Sequence, residues 1–319
     1  RAVFLDTPAG FQLNADEMSA KAVEYFRKRF SVSLAVASFK DSSLLAGSTS
    51  AEAALAIVRQ ANYVFAGPGS PTYAARHLLN SPVAAALKER LAAGSQMVFA
   101  SAAAIAASRH VVPVYEIYKV GEEPHWVEGI DLLGPYACEL AIVTHWDNRE
   151  GGTHDTRYAY LGEARLKVLE EALPQSAVIL GVDEHTACII DLSVGRCDVM
   201  GVGGVTIRQR GRELAFPSGS SFTVEYLVHG PEMGCVLPPE APHEVTTSPH
   251  GMESQQPLAE VIEERASALE TGLIELLIEV RHNLRQNRQW EMADRIRRRI
   301  ASHDIILEDT AEGTRWRRS

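Results

Sequence analysis

The stretch Met97-Val98-Phe99-Ala100-Ser101-Ala102-Ala103-Ala104-Ile105-Ala106-Ala107 decides how this chain is read. A short apolar run gives way to small, helix-favouring residues with a serine at the join, the sequence form of a β-strand turning sharply into an α-helix. Such a corner lifts the serine hydroxyl above the carboxyl end of a parallel sheet and aims the first N–H groups of the helix at the same spot. The same residues also fit an ordinary helix N-cap, whose hydroxyl merely accepts a hydrogen bond from the helix backbone. Two roles for Ser101, nucleophile or cap, are therefore open at this point.

Outward from the corner, apolar runs alternate with amphipathic stretches. Ala2-Leu5, Ser33-Ala37, Tyr63-Ala66, Gln96-Ala100, Leu140-Thr144 and Val178-Val182 read as strands, and Ala15-Phe30, Ala51-Gln60, Pro71-Leu79 and Val83-Ala93 as helices. This alternation predicts βα units, a mostly parallel sheet, and functional residues just after strand ends. From Thr186 to Phe216 short β runs follow one another through Gly-rich turns, which predicts an antiparallel extension at one sheet edge. The Pro-, Ser- and His-rich segment 233–257 reads as a linker between a domain at 1–232 and a small helical domain at 258–319. In the latter, Leu273, Leu276, Leu277, Val280 and Leu284 recur at helical spacing.

Composition bounds the function. With 319 residues, 46% hydrophobic and 23% charged, the chain has the make-up of a folded protein rather than a disordered one. No run approaches the roughly 18 to 20 apolar residues of a membrane span, and Arg1 to Asp6 reads as a strand rather than a signal peptide, so a cytoplasmic, membrane-free protein is expected. Cys138, Cys188, Cys197 and Cys235 lack CxxC spacing, and neither a metal site nor a cofactor is expected. A net charge of −10 argues against broad attraction to nucleic acid, so any RNA contact must come from a local basic patch.

Three other segments carry chemistry. Phe65-Ala66-Gly67-Pro68-Gly69-Ser70-Pro71 is a strand-to-helix turn in which Gly67 or Gly69, but not Pro68, can donate an N–H to a developing oxyanion. His145, at the end of Leu140-Thr144, is the natural base for a serine, with His154 as its competitor. Glu116, an acid inside the apolar segment Pro113-Lys119, needs a partner, either an imidazole N–H or Lys119. In the polar loop 144–157, Asn148, Thr156 and Arg157 are candidate substrate contacts, and the Arg157 guanidinium suits a carboxylate. Asp155 and Thr156 also fit a plain helix cap.

The order of the Gly-rich turn, the Ser-Ala-x-Ala corner, Glu116, the loop His145 to Arg157, then Gly181-Val182-Asp183-Glu184-His185-Thr186-Ala187 and Gly201-Val202-Gly203-Gly204-Val205-Thr206 resembles the dipeptidase E and cyanophycinase family of serine peptidases, over roughly residues 2–215. The resemblance implies a three-layer α/β, class I glutamine amidotransferase-like (flavodoxin-like) fold. It further implies Ser101 as nucleophile, His145 as base, Glu116 as third member, Gly67 and Ala102 as oxyanion donors, and Arg157 as the reader of an acidic substrate side chain. The corner departs from the family's Gly-x-Ser-Ala-Gly, because Phe99 and Ala103 stand where glycines relieve crowding. Two functions follow: hydrolysis of an amide bond in a small, carboxylate-bearing peptide or amino-acid derivative, or a catalytically impaired, ligand-sensing or tRNA-binding regulator.

Residues 258–318, above all Leu307-Glu308-Asp309-Thr310-Ala311-Glu312-Gly313-Thr314-Arg315-Trp316-Arg317-Arg318, resemble the C-terminal domain of cysteinyl-tRNA synthetases, which contributes to tRNA binding near the anticodon. The resemblance implies tRNA as a partner, met by Arg295, Arg298, Arg315 and Arg317, with Trp316 stacking on a base. A solvated face paired with nearby glutamates, or a packing module, is the competing reading. A homodimer is compatible with the sequence, which does not fix the oligomeric state.

Overall fold

Strand β1 (Ala2–Leu5) leads through helix α1 (Ala15–Phe30) to β2 (Leu34–Ala37), then through α2 (Thr49–Arg59) to β3 (Tyr63–Ala66), and through α3 (Pro71–Leu78) and α4 (Pro82–Ala92) to β4 (Gln96–Phe99). The structure, a computed structural model, describes residues 1–42, 49–136 and 138–233, and in the C-terminal part 278, 281, 285, 293–294, 296–297, 300, 305–310 and 313–318. The helix starts follow from local chemistry. Ser70 and Ser81 accept hydrogen bonds from the N–H groups of Tyr73 and Ala84, and Pro71 and Pro82 occupy first-turn positions where no N–H is needed.

These four strands pair in parallel in the order β2-β1-β3-β4. Helix α5 (Ala102–Ala107) follows β4 directly, and a short antiparallel pair, β5 (His110–Val111) and β6 (Val127–Glu128), comes next. Strand β7 (Leu140–Thr144) is joined by α6 (Gly162–Glu171) to β8 (Val178–Val182), its parallel neighbour. Strands β9 (Thr186–Asp191) and β10 (Arg196–Gly201) form a hairpin, β11 (Gly204–Gln209) and β12 (Arg212–Pro217) a second, and β13 (Ser221–Thr223) runs into α7 (Glu225–His229). The second large sheet is ordered β12-β11-β8-β7, and β13-β10-β9 is a third.

The expected parallel sheet with an antiparallel extension thus appears as a mixed α/β fold whose four-stranded layers have their own cores. Among the described residues no ladder joins β4 to β7; α5 packs against both. Val3, Leu5, Val58, Val64 and Leu87 centre one core, and Leu140, Leu180, Val205 and Ile207 another. A third holds Ala141, Val143, Trp146 and Leu166, so alternate residues of β7 face different cores, as the two-residue period of a strand requires.

The chain divides into Arg1–Pro239 and Glu240–Ser319. The expected linker at 233–257 falls, apart from Met233, outside the described residues, as do Cys235 and most of the helix expected within 258–302. What is described in the second unit includes a hairpin that the helical expectation does not contain, β14 (Ile305–Thr310) and β15 (Gly313–Arg318). Its inward residues Ile305, Leu307 and Trp316 pack with Ile278, Ile296 and Ile300. No helix among the described residues is long and apolar enough to cross a membrane.

Candidate active site

Ser101 sits at the N-cap position of α5, yet its hydroxyl makes no capping bond. Its backbone is at φ 52° and ψ −119°, a region that side chains other than glycine rarely enter and that costs on the order of 1–3 kcal/mol. The strained corner is present despite Phe99 and Ala103, so crowding there does not flatten it. Instead of capping, Ser101 Oγ lies 3.0 Å from His145 Nε2.

His145 follows β7, and its other ring nitrogen, Nδ1, lies 2.8 Å from Glu184 Oε1. Glu184 follows β8, and the parallel register Thr144↔Val182 sets the two strand ends side by side. The Asn148 side-chain amide also donates to Glu184 Oε1, at 2.8 Å, and the Glu184 N–H donates to Asp147 Oδ1 at 2.7 Å. Donation by Asn148, and next by His145, holds the Glu184 carboxyl below the usual carboxylate range. An ionised carboxylate only accepts, so the His145 proton is on Nδ1 and Nε2 is left to accept from the Ser101 hydroxyl.

The backbone around His145 is held by an unusual turn. His145 itself has φ 51°, and the successive residues Tyr158, Ala159 and Tyr160 have φ of 61°, 54° and 68°. Left-handed backbone costs non-glycine residues roughly 1–2 kcal/mol each. Two of these residues are tied to the histidine corner: Tyr158 N–H donates to the Trp146 carbonyl at 3.0 Å and Ala159 N–H to the His145 carbonyl at 3.1 Å. The turn brings the Tyr160 ring to 6.3 Å from that of His145 and 5.3 Å from that of Tyr118. The Tyr160 hydroxyl donates to Glu150, which pushes its own pKa up to about 12. Trp146 packs over Gly181, where a Cβ would come within 2.4 Å of the indole.

Several sequence expectations are corrected here. Glu116 is not the carboxylate at His145: it lies in a π-helical turn, Glu116–Val120, and accepts from the Thr72 hydroxyl at 3.0 Å. The partner it needed is a neutral hydroxyl, neither the imidazole nor Lys119. Asn148 is 1% exposed and serves Glu184, while the Thr156 hydroxyl, 2% exposed, accepts from the Gly151 N–H; both order the loop. Arg157 forks onto Asp155, with Nε and Nη2 at 2.9 and 2.8 Å from its two oxygens, and lies 3.7 Å from Glu163. That guanidinium holds the Asp155 carboxyl well below its ordinary range. A carboxylate two residues upstream thus takes the fork that was expected to hold a substrate. His154 is exposed, 6.5 Å ring to ring from Tyr118.

The Gly67 turn stands beside the corner, because β3 and β4 pair with Ala66 opposite Phe99. Gly69 is the residue that space demands, since a Cβ there would fall 1.8 Å from the Pro8 carbonyl oxygen, whereas one at Gly67 would meet only Phe65, at 3.7 Å. Ala102, the first residue of α5, has no acceptor within its helix for its N–H. In the tail, Trp316 does not face outward: it packs on Ile300, Ile305 and Leu307, and strand alternation turns Arg315 and Arg317 to the exposed side. The side chains of Arg295 and Arg298 lie outside the described residues.

No protein-family model matches the chain. The chain aligns with the crystal structure of a peptidase from an acI-B1 Actinobacterium over 70% of its own length and 82% of that chain, at a TM-score of 0.56 and 19% identity, which establishes a shared fold. It is also similar to cysteine–tRNA ligases: 49% identical over 51 residues to that of Baumannia cicadellinicola, 40% over 70 residues to that of Persephonella marina, and 56% over 45 residues to that of Bacillus velezensis. These matches cover 14–21% of this chain and only 10–14% of the ligases. The chain is therefore similar to a peptidase in fold and to a short part of cysteine–tRNA ligases in sequence.

Proposed function

We propose that the protein is a serine hydrolase of the peptidase or amidase type, with Ser101 as nucleophile, His145 as general base and Glu184 as the carboxylate that orients it. The observation that carries this reading is the chain of contacts Ser101 Oγ to His145 Nε2 to Glu184 Oε1, at 3.0 and 2.8 Å, starting from a strained residue that declines to cap its own helix. In the first step Ser101 Oγ attacks the carbonyl carbon while His145 Nε2 takes its proton; the imidazolium is stabilised by Glu184 and then protonates the leaving group. Water repeats the sequence on the acyl-enzyme. The N–H groups of Gly67 and Ala102 are the proposed oxyanion donors, a role worth about 100- to 1,000-fold in rate per donor.

The tail supports a second, compatible proposal, that the C-terminal unit binds tRNA. The similarity to cysteine–tRNA ligases and the two outward arginines of β15 favour it over a purely packing role. For the hydrolase, Ser101→Ala is expected to abolish turnover of an activated ester or peptide library by the full chain while leaving the melting temperature within a few degrees; unchanged turnover would exclude the mechanism. For the tail, gel-shift of tRNA is expected to weaken steeply as salt rises. Absence of a shift at low salt would leave the packing role.

A further inference from the structure

Opening an amide at a serine sends its two halves different ways. The acyl group stays on Ser101 Oγ, and the amine departs past the group that protonates it, which is His145. The side chains around the His145 ring therefore read the leaving amine. Arg157, expected to grip a carboxylate there, forks onto Asp155 instead.

What the structure sets beside His145 is a series of rings. The His145 centroid lies 6.3 Å from that of Tyr160, Tyr160 lies 5.3 Å from Tyr118, and Tyr118 lies 6.5 Å from His154, with interplanar angles of 43°, 32° and 20°. None of the four rings is buried: His154 is exposed and the other three partly so. Both tyrosines are anchored. Tyr160 ends the left-handed run Tyr158-Ala159-Tyr160, with its hydroxyl 2.7 Å from Glu150. Tyr118 belongs to the turn Glu116–Val120, which Glu116 fastens to Thr72 in the first turn of α3, and α3 packs on α5, the helix that starts beside Ser101. Left-handed backbone that carries a ring to the surface beside a reactive histidine is the kind of strain that functional sites retain.

The chemistry of the rings selects what they hold. Aromatic faces and edges favour a further aromatic group beyond the area it buries. A cation is the other natural guest of such faces, but Lys119 Nζ already sits 4.6 Å from the Tyr118 centroid and repels a second positive charge. We infer that Tyr160, Tyr118 and His154 form the leaving-group subsite of the Ser101 centre, and that it takes an amine carrying a neutral aromatic side chain. The inference rests on the hydrolase reading above and names the leaving group of that same site.

The test runs the leaving step backwards, so that the acyl specificity drops out. The full chain is acetylated with p-nitrophenyl acetate, and phenylalaninamide, cyclohexylalaninamide, alaninamide and argininamide compete with water for the acetyl group. The attacking amine occupies the place of the leaving amine: its nitrogen bonds to the acetyl carbon, the bond to Ser101 Oγ breaks, and the amine proton passes through His145 Nε2 to Oγ. Each partition ratio is read within one acyl-enzyme, so a change in acetylation rate cancels. Wild type is expected to favour phenylalaninamide about two- to tenfold over cyclohexylalaninamide, which matches it in backbone and amine, and more than about tenfold over alaninamide. Y118L/Y160L is expected to bring the phenyl-to-cyclohexyl ratio close to one, and Y118F/Y160F to retain it. Equal partition of the amides, transfer to none of them, preference for argininamide, or a phenyl preference that survives in Y118L/Y160L would overturn the inference while acetylated Ser101 keeps the hydrolase reading in place. A Ser101 that takes no acetyl group would overturn the hydrolase reading, and this inference with it.

Discussion

Replacing Glu184 with glutamine, beside the matched change at Glu116, separates the two carboxylates that have a claim on His145. In the structure Glu184 Oε1 accepts from both His145 Nδ1 and Asn148 Nδ2, each at 2.8 Å. Glutamine is nearly isosteric, but it presents an NH2 group on one side. If that group turns to His145, Nδ1 must become the acceptor, the ring proton moves to Nε2, and the base can no longer take the serine proton. If the amide oxygen turns to His145 instead, the tautomer survives but the imidazolium loses its counter-charge. The wrong-tautomer case in serine-protease triads costs about 10⁴-fold, so a loss of about 10²–10⁴-fold in kcat/KM is expected here, equivalent to ~3–5 kcal/mol. Glu116→Gln keeps an acceptor for the Thr72 hydroxyl and is expected to stay within about twofold, as a neutral hydrogen bond on the order of 1 kcal/mol is largely preserved. Stopped-flow acylation with a p-nitrophenyl ester measures both. A large loss from the Glu116 variant, with the Glu184 variant near wild type, would refute the assignment.

Three other perturbations follow from the same geometry. Ser101→Gly removes the side chain from a left-handed position, and is expected to stabilise the fold by ~0.5–2 kcal/mol while eliminating turnover; a lower melting temperature would argue that the corner is unstrained. Gly69→Ala drives a Cβ into the Pro8 carbonyl and is expected to cost at least ~1–3 kcal/mol in chemical denaturation, whereas Gly67→Ala, which meets only Phe65 at ordinary contact distance, is expected to be nearly neutral; equal effects would contradict this. Asp155→Asn breaks the fork to Arg157 and weakens the bond from the Glu163 N–H. Because the folded Asp155 pKa is depressed, its contribution is present above the unfolded value of about 4 and is lost as pH falls toward the folded value. Wild type is therefore expected to lose stability below about pH 4 with a steeper slope than the variant; parallel curves would contradict the assignment.

Much of this was legible in the sequence because period and punctuation agree. Strands Ala2–Leu5, Tyr63–Ala66 and Leu140–Thr144 sit where their apolar runs end, and helix Pro71–Leu78 starts at the Ser-Pro signal. The residue type and place of Ser101 and His145 were readable too, since both end strands. Glu184 lies within the Gly181–Ala187 motif, but the resemblance implies Glu116 as the third member, and the apolar segment around Glu116 leaves an imidazole or Lys119 open as its partner. Glu116 instead takes a hydroxyl partner from Thr72, 44 residues away. The signal that finds Glu184 is topological: β7 and β8 are parallel neighbours in register, so residues just past their ends must meet. For Arg157 the missed signal is local, since Asp155, two residues upstream, takes its fork in the structure. Trp316, expected to stack on a base amid basic residues, is instead sent inward by the alternation along β15, with Leu307 opposite.

The central claim is that Ser101 is an activated nucleophile. Incubation of the full chain with a fluorophosphonate, followed by peptide mass spectrometry, reads this directly. The account predicts a single stoichiometric adduct on the peptide carrying Ser101, formed at least a hundredfold more slowly when His145 is replaced by alanine. An unmodified Ser101 in protein that remains folded, or labelling indifferent to His145, would contradict it.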